Sequence, residues 1–462
     1  MTDSILIVGG GIAGLTAALE CAHAGAKAIV VDNAAIIGGR LAAAMTDKSS
    51  VDGNIDGVSI PKLDQLVAMD NIELITLANV ESIGGRCGNF DVVIRERTRF
   101  VTDACTRCRR CHPVCPSVSA NEYDGGLTYR KAIYTPLPET LPTEYVIDIN
   151  SCLNKPPNYL PCNRCIEVCD DDAIHFDMPL DRLHEKQIGA VVVAAGFDMT
   201  PDGHMREHGY GTYPDIVTSA ELQHLLTSPG PTGGFVAKPS SEEYPESILL
   251  IIYELTPFAA YTAINQVRQL VDQDVDRVDV LIGGQPDDGR KNQFVQALPA
   301  DVAVHVGLLQ KVEAAADNRI TVSFAEFAGN RIPKEDYDMV VLSCEPRPAK
   351  NLEGLAEVFG LAMNDAGYVA TTAPDVPCKT SCEGIYVTGG ARGPITLPDA
   401  VEEARGAAIG ALSHLDPRLL KPEYRPPQPA EANKDATASA PADDELRARI
   451  ERALYALMGS DH

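Results

Sequence analysis

An α/β fold with an inserted metal-binding segment is predicted, on three observations. Residues 4–9 are a continuous apolar run that leads through a glycine-rich turn into an Ala/Leu-rich helix over 13–24 and a second apolar run at 28–32, a βαβ unit. Residues 247–252, 259–271 and 277–282 repeat the strand–helix–strand order. Between these units, eight of the thirteen cysteines fall within residues 105–169.

The remaining elements follow in order. Short strands are predicted near 72–76 and 90–94, and a further buried strand at 188–195. A Pro/Gly-rich surface stretch covers 200–243. Strands at 339–343 and 384–390 precede a helix over 398–413. Residues 416–442 are rich in Pro, Ala and Asp and read as a linker. Leu446, Ile450, Leu454 and Leu457 then recur at helical spacing.

Composition excludes several classes of function. A formal charge of −26 with no tryptophan disfavours a nucleic-acid partner or an anionic membrane surface. The N-terminus enters an apolar strand with no basic n-region, and Ile5 to Leu19 is too short and glycine-broken to span a bilayer. A cytoplasmic location is expected, any membrane contact coming through a partner. There, thirteen cysteines are not a disulfide framework, because thiols stay reduced.

Gly9-Gly10-Gly11-Ile12-Ala13-Gly14 matches the dinucleotide turn between a strand and a helix. Gly9 permits the turn, Gly11 lets a pyrophosphate approach, and Gly14 lets helix and strand pack closely. The helix N-terminus offers unpaired N–H groups to phosphate. Asp32, 18 residues beyond Gly14, is placed to bond a ribose hydroxyl. Gly38-Gly39-Arg40 follows, as is typical of two-domain FAD proteins. Ala194-Ala195-Gly196 resembles their second turn, and Gly384 to Gly390 their C-terminal motif, with Gly390 where those proteins carry aspartate. Gly389, Gly390, Gly393, Pro394 and Ile395 then lead to a helix whose N-terminus is expected at the flavin. Three motifs in this order favour FAD over NAD. The corresponding turn of the second unit, Ile252-Tyr253-Glu254-Leu255-Thr256-Pro257, has no glycine, which disfavours NAD(P)H there.

Cys105-x2-Cys108-x2-Cys111-x3-Cys115-Pro116 is the bacterial ferredoxin run, whose fourth cysteine serves the other cluster. The second run is Cys152-x9-Cys162-x2-Cys165-x3-Cys169, with a long insertion after Cys152 and Asp170 in place of proline. By the two-cluster rule, one 4Fe–4S site takes Cys105, Cys108, Cys111 and Cys169, and the other Cys115, Cys152, Cys162 and Cys165. Zinc is the alternative occupant. Arg107, Arg109, Arg110, His112 and Arg164 stand among these ligands, either tuning or docking, or offsetting cluster charge. Cys378 and Cys382 read as structural or free thiols, and Cys21, Cys87 and Cys344 as buried apolar residues. No nucleophile–base constellation stands out, and His175, His184 and His204 read as ordinary histidines.

This motif order, with Gly209-Tyr210-Gly211-Thr212-Tyr213-Pro214, Gly230-Pro231-Thr232-Gly233 and Gly393-Pro394, resembles the A-subunit of heterodisulfide reductase over residues 1–413. The resemblance implies a two-domain FAD/NAD(P)-type, Rossmann-like flavoprotein with an inserted two-cluster ferredoxin domain. It implies FAD and two 4Fe–4S clusters, and electron transfer beside cluster-bearing and, in some complexes, quinone-reactive membrane subunits. The family's larger members carry a further cluster motif after Gly-Gly-Arg, where residues 41–86 hold no cysteine, so a shortened form is expected. Bifurcation does not carry over. The alternatives are a self-contained NAD(P)H-dependent flavin enzyme and the flavoprotein of a quinone-linked, membrane-associated oxidoreductase.

The expected division is a FAD-binding domain over 1–100, resumed at 183–245 and 346–414, with the ferredoxin insert at 101–182. A degenerate second nucleotide-type domain follows at 246–345, then a linker at 415–442 and a terminal amphipathic helix at 443–462.

Overall fold

In a computed structural model, residues 2–42, 54–55, 58–59, 61–137, 139–155, 160–228, 230–284, 288–327, 332–372 and 376–415 are described. The expected linker, but for Leu415, and the terminal helix lie outside them. The chain divides into two compact units, one containing residues 2–198 and 347–415, the other 199–346.

The first unit is built on five parallel strands in the order Ile385–Val387, Ala190–Val193, Ser4–Val8, Lys27–Val31 and Ile72–Ile75. Ser4 to Val8 is buried along its whole length, as a central parallel strand must be. The helices Ile12–His23 and Leu397–Leu412 pack together and share an alanine-rich core through Ala17, Ala18, Ala404, Ala407, Ala408 and Ala411. Small side chains let them approach closely. The opposite face of the sheet is covered by Val92, Ile94, Leu352, Leu355 and Phe359, among others.

A three-stranded antiparallel sheet adjoins, with Asn89–Arg97 between Ala78–Arg86 and Asp181–Ile188. Arg97 pairs with Asp181, so the cysteine-rich insert leaves and re-enters at one point. An insertion between paired ends can be carried without disturbing its host. The insert has its own small core of Phe100, Val101, Ile133, Tyr145, Ile147, Ala173 and Ile174, with Cys111 and Cys165. Two one-turn helices, Cys111–Val114 and Arg164–Glu167, meet inside it.

The second unit carries seven strands in the order Ile216–Thr218, Met339–Leu342, Ser247–Ile252, Arg277–Gly283, Ala303–Ala314, Ile320–Glu326 and Lys334–Tyr337. The first five are parallel and the last two antiparallel additions. This moves an expected boundary. Residues 199–245 fall in the expected FAD-binding domain, yet Ile216–Thr218 joins the second unit's sheet, so that unit begins at Met199 rather than 246. The stretch that reads as irregular surface also holds the helices Gly203–Glu207 and Ser219–Leu225. Thr218 and Glu221 form a capping box at the second of these.

The insert is fastened to the dinucleotide unit chiefly by Arg99. Its guanidinium donates to the Ala35 carbonyl at 2.5 Å, the Thr76 hydroxyl at 2.9 Å and the Glu144 carbonyl at 3.2 Å. Replacing Arg99 by Met leaves these half-buried acceptors unpaired, at a cost of about 1–3 kcal/mol each where water cannot reach. The expected result is accelerated amide exchange across residues 133–147 with the Ser4–Val8 strand still protected. Unchanged exchange in the insert would refute the clamp.

Candidate functional site

Every glycine motif of the first unit lies at the carboxyl edge of the five-stranded sheet. Gly9 follows Ser4–Val8, Asp32 follows Lys27–Val31, Ala194 to Gly196 follow Ala190–Val193, and Thr388 to Gly390 follow Ile385–Val387. Ligands of open α/β sheets bind outside this edge, where the strand order reverses, here between Ser4–Val8 and Ala190–Val193.

The glycines divide by what surrounds them. A Cβ on Gly9, which has φ 113°, would stand 2.2 Å from the Ala194 carbonyl oxygen, and one on Gly14 1.9 Å from that of Gly9. Those two are glycine because protein already fills the space. Gly11, Gly196 and Gly393 have nothing within 4 Å of an added Cβ, so the room beside them is open. An extended ligand passing Gly11 and Gly196 fits this pattern. Gly389 packs on Ala13 and Gly390 on Gly196 and Phe197, which draws the C-terminal motif onto the first two. Pro394 and Ile395 form the entry to the helix Leu397–Leu412, whose N-cap is Thr396. The N-terminus of the helix Ile12–His23 starts directly at Gly11.

Asp32, expected to bond a ribose, also has a structural part in the turn. Its Oδ2 accepts from the Gly10 N–H at 2.6 Å and its Oδ1 from the Ala34 N–H at 2.8 Å, which holds the glycine turn to the second strand. Burial raises its pKa above the usual carboxylate value, and these two N–H groups oppose the rise. A carboxylate has about four acceptor positions, so two remain for a sugar.

The Gly-Gly-Arg loop closes the site from the other side. The Gly38 N–H donates to the Gly10 carbonyl at 2.7 Å, and the Arg40 guanidinium lies 4.6 Å above the Phe197 ring. The same loop rests on the insert. The Ile37 N–H donates to the Leu141 carbonyl at 3.0 Å, the Ala35 N–H to the Tyr123 hydroxyl at 3.4 Å, and Ile36 and Ala42 pack with Leu137. Arg99, Tyr123 and Leu141 are the residues sequence reasoning missed as parts of the site, since none has a motif of its own.

In the insert, Cys105, Cys108, Cys111 and Cys169 line one pocket, open in part to solvent, together with Val101, Tyr145 and Ile174. The remaining four form a second group, in which Cys152 stands beside Cys115 and Cys162, and Cys165 beside Cys152 and Cys115. The sets approach each other through Cys111 and Cys165, which share the insert's core. Cys152, with the least regular spacing, is therefore placed with the others. Pro156 and Pro157 of its insertion lie outside the described residues.

Burial, followed by the closeness of Cys105, pushes the Cys111 thiol up to about 12. Burial, then Cys152 and Cys115, pushes Cys165 up to about 11. Cys108 shifts the other way, because the backbone and side chain of Arg110 both donate to it. Crowded thiols of this kind give up their protons to a metal. Arg107 and Arg109 adopt left-handed backbone, φ 59° and 64°, which non-glycine residues rarely do. Such residues alternating along a loop gather backbone N–H groups into an anion-binding concavity, as at iron–sulfur centres. Arg110 is also ion-paired with Asp170, the residue standing in the expected proline position.

At the nucleotide turn of the second unit, Thr256 caps the helix Pro257–Asp272, and the Tyr253 hydroxyl lies 2.8 Å from His208 Nδ1. The Cys382 thiol donates to the Gly360 carbonyl at 3.1 Å, and Cys378 is buried, both as free thiols. Cys21 and Cys344 are buried as expected, whereas Cys87 is not: it is partly exposed at a hairpin tip.

The glycine classes make a paired test. Gly11→Val is expected to leave apo stability within about 0.5 kcal/mol, as at open positions, yet to weaken FAD binding by about tenfold or more. Gly14→Ala is expected to cost about 1–3 kcal/mol through overpacking. Equal flavin retention by Gly11→Val and the wild type would show that no dinucleotide passes this turn.

An FAD binding domain family model matches residues 4–49. The chain is 30% identical over 436 residues to the A-subunit of the H(2):CoB-CoM heterodisulfide,ferredoxin reductase of Methanothermobacter marburgensis, across 88% of this chain and 63% of that protein. It is 31% identical over 442 residues to an iron-sulfur A-subunit of the CoB–CoM heterodisulfide reductase of Methanopyrus kandleri, across 90% and 65%. The chain thus spans less than two thirds of the length of either. Among solved structures, Lactococcus lactis thioredoxin reductase matches with a TM-score of 0.45 at 12% identity, covering 89% of this chain and 98% of that one. The fold class rests on the sheet order and the glycine turn themselves, and no helix among the described residues is long and apolar enough to cross a membrane. Over nearly nine tenths of its length the chain is thus similar to A-subunits of heterodisulfide reductase, and it carries an FAD-binding domain of Rossmann type.

Proposed function

We propose that this protein is an electron-transfer flavoprotein subunit that exchanges electrons between FAD and two 4Fe–4S clusters within a heterodisulfide-reductase-like complex. The observation that carries the reading is the shared loop. Residues 35–42 bond the dinucleotide turn through Gly38 and the cysteine insert through Ile37 and Ala35. A flavin beside Gly11, Gly196 and Gly390 and clusters on the insert would be held in one frame.

Bound flavin would supply the exchange between two-electron and one-electron transfer. The chain's part is positioning. Gly9, Ile12, Ala13 and Gly14 shape the pyrophosphate turn, Gly11 clears its path, and Asp32 holds the turn while offering acceptors to ribose. Gly38, Gly39 and Arg40 cover one side, and Ala195, Gly196, Gly389, Gly390, Gly393, Pro394 and Ile395 the other. Cys105, Cys108, Cys111 and Cys169 would hold one cluster, and Cys115, Cys152, Cys162 and Cys165 the second. The names of the relatives as reductase subunits support partners that carry further redox centres and supply donor and acceptor.

Anaerobic protein reconstituted with iron and sulfide is expected to hold about eight of each per chain, for two clusters, with one FAD. Cys169→Ser is expected to lose the reduced-cluster EPR signal of one centre and keep the other. Uptake of zinc in place of iron at the eight cysteines would overturn the cluster reading. Rapid bleaching of the flavin by NADH or NADPH alone would favour a self-contained NAD(P)H enzyme, and co-purification with a quinone-reactive membrane protein the quinone-linked one.

A further inference from the structure

Away from both cysteine sets, three side chains from distant segments converge. Cys87 occupies the tip of the hairpin Ala78–Arg86/Asn89–Arg97, Glu383 precedes the strand Ile385–Val387, and His414 follows the helix Leu397–Leu412. One ligand atom from each lies within 4.8 Å of the other two. The Cys87 sulfur is 3.0 Å from His414 Nδ1. The far ring nitrogen, His414 Nε2, is 3.0 Å from the Tyr386 hydroxyl.

Two details favour a built site over a chance thiol–imidazole contact. In the tautomer whose Nε2 proton is shared with Tyr386, the Nδ1 lone pair faces the sulfur, and ligating histidines are oriented in this way by an outer partner. Gly384 lies against the thiol, with φ 79°, and a Cβ there would stand 2.6 Å from the Cys87 sulfur. Glycine makes room for the sulfur beside Glu383.

We propose that Cys87, Glu383 and His414 form a three-ligand site for a borderline divalent cation, zinc foremost. Thiolate, imidazole and carboxylate are all zinc ligands, whereas magnesium and calcium take oxygen alone. The thiolate and carboxylate together balance the charge of the ion, so a partly buried site stays neutral. Binding transfers the Cys87 thiol proton to solvent and forms the sulfur–metal bond, with no redox change. Three protein ligands leave a fourth position for water or a further donor. The ion ties the hairpin tip to the end of the Leu397–Leu412 helix, a role independent of electron transfer.

The test uses the full chain loaded with FAD and clusters, stripped with a chelator under anaerobic conditions and then given zinc. Wild type is expected to retain one zinc per chain that Cys87→Ser and His414→Ala lack, with iron and flavin contents equal. Glu383→Gln should weaken zinc binding, and Tyr386→Phe should weaken it by about tenfold through loss of the outer partner. Zinc should also shield Cys87 from alkylation in the wild type, read by peptide mass, which needs no variant to fold. Zinc contents that match between wild type and Cys87→Ser, or alkylation of Cys87 that zinc does not slow, would overturn the site.

Discussion

The segment from Asn33 to Ala42 is gripped from both sides, and the rest of the first unit depends on that grip. On one side Gly38 bonds the Gly10 carbonyl of the dinucleotide turn, and Asp32 anchors both the turn and the start of the segment. On the other, Arg99, Tyr123 and Leu141 of the insert and its approach take up Ala35 and Ile37. The backbone groups that a free loop would leave to water are thereby satisfied inside the protein. Two parts with separate cores, one of alanine and branched aliphatics and one organised around cysteine, become one body at this seam.

The sheet supplies the complementary constraint. Parallel strands end level, so residues 9, 32, 196 and 389 arrive at one edge although they are spread from one end of the unit's sequence to the other. Where two such ends must touch, as Gly14 touches Gly9 and Gly390 touches Phe197, only a missing side chain permits it. Where an open margin remains at Gly11, glycine has no neighbour in the protein to explain it, whereas Gly196 combines open space with a φ of 73° that itself favours glycine. The distinction separates glycines that build the fold from glycines that leave room, although the letters are the same.

Much of this was legible because it depended on local spacing. The βαβ turn, the cysteine runs and the strands at 247–252 and 277–283 each announce themselves within a dozen residues. The expected crossing of Cys169 to the first run and Cys115 to the second comes from the ferredoxin pattern itself. What escaped depended on contacts of long range. Ile216–Thr218 is three residues long, too short for a periodicity to show, and only its pairing with Met339–Leu342 reveals which unit owns it. Cys87 reads as an apolar residue until its hairpin carries it to His414, 327 positions away. The left-handed backbone at Arg107 and Arg109 has no signature either, because sequence reasoning expects glycine at such angles.

Arg99 bears on how such an assembly can drift over generations. Two of its three acceptors are main-chain carbonyls, at Ala35 and Glu144, which every amino acid provides alike. A fastening that reads the backbone places little demand on the identity of its neighbours. The surfaces on either side of the joint are thus free to diverge without loosening the joint between the dinucleotide turn and the cysteine insert.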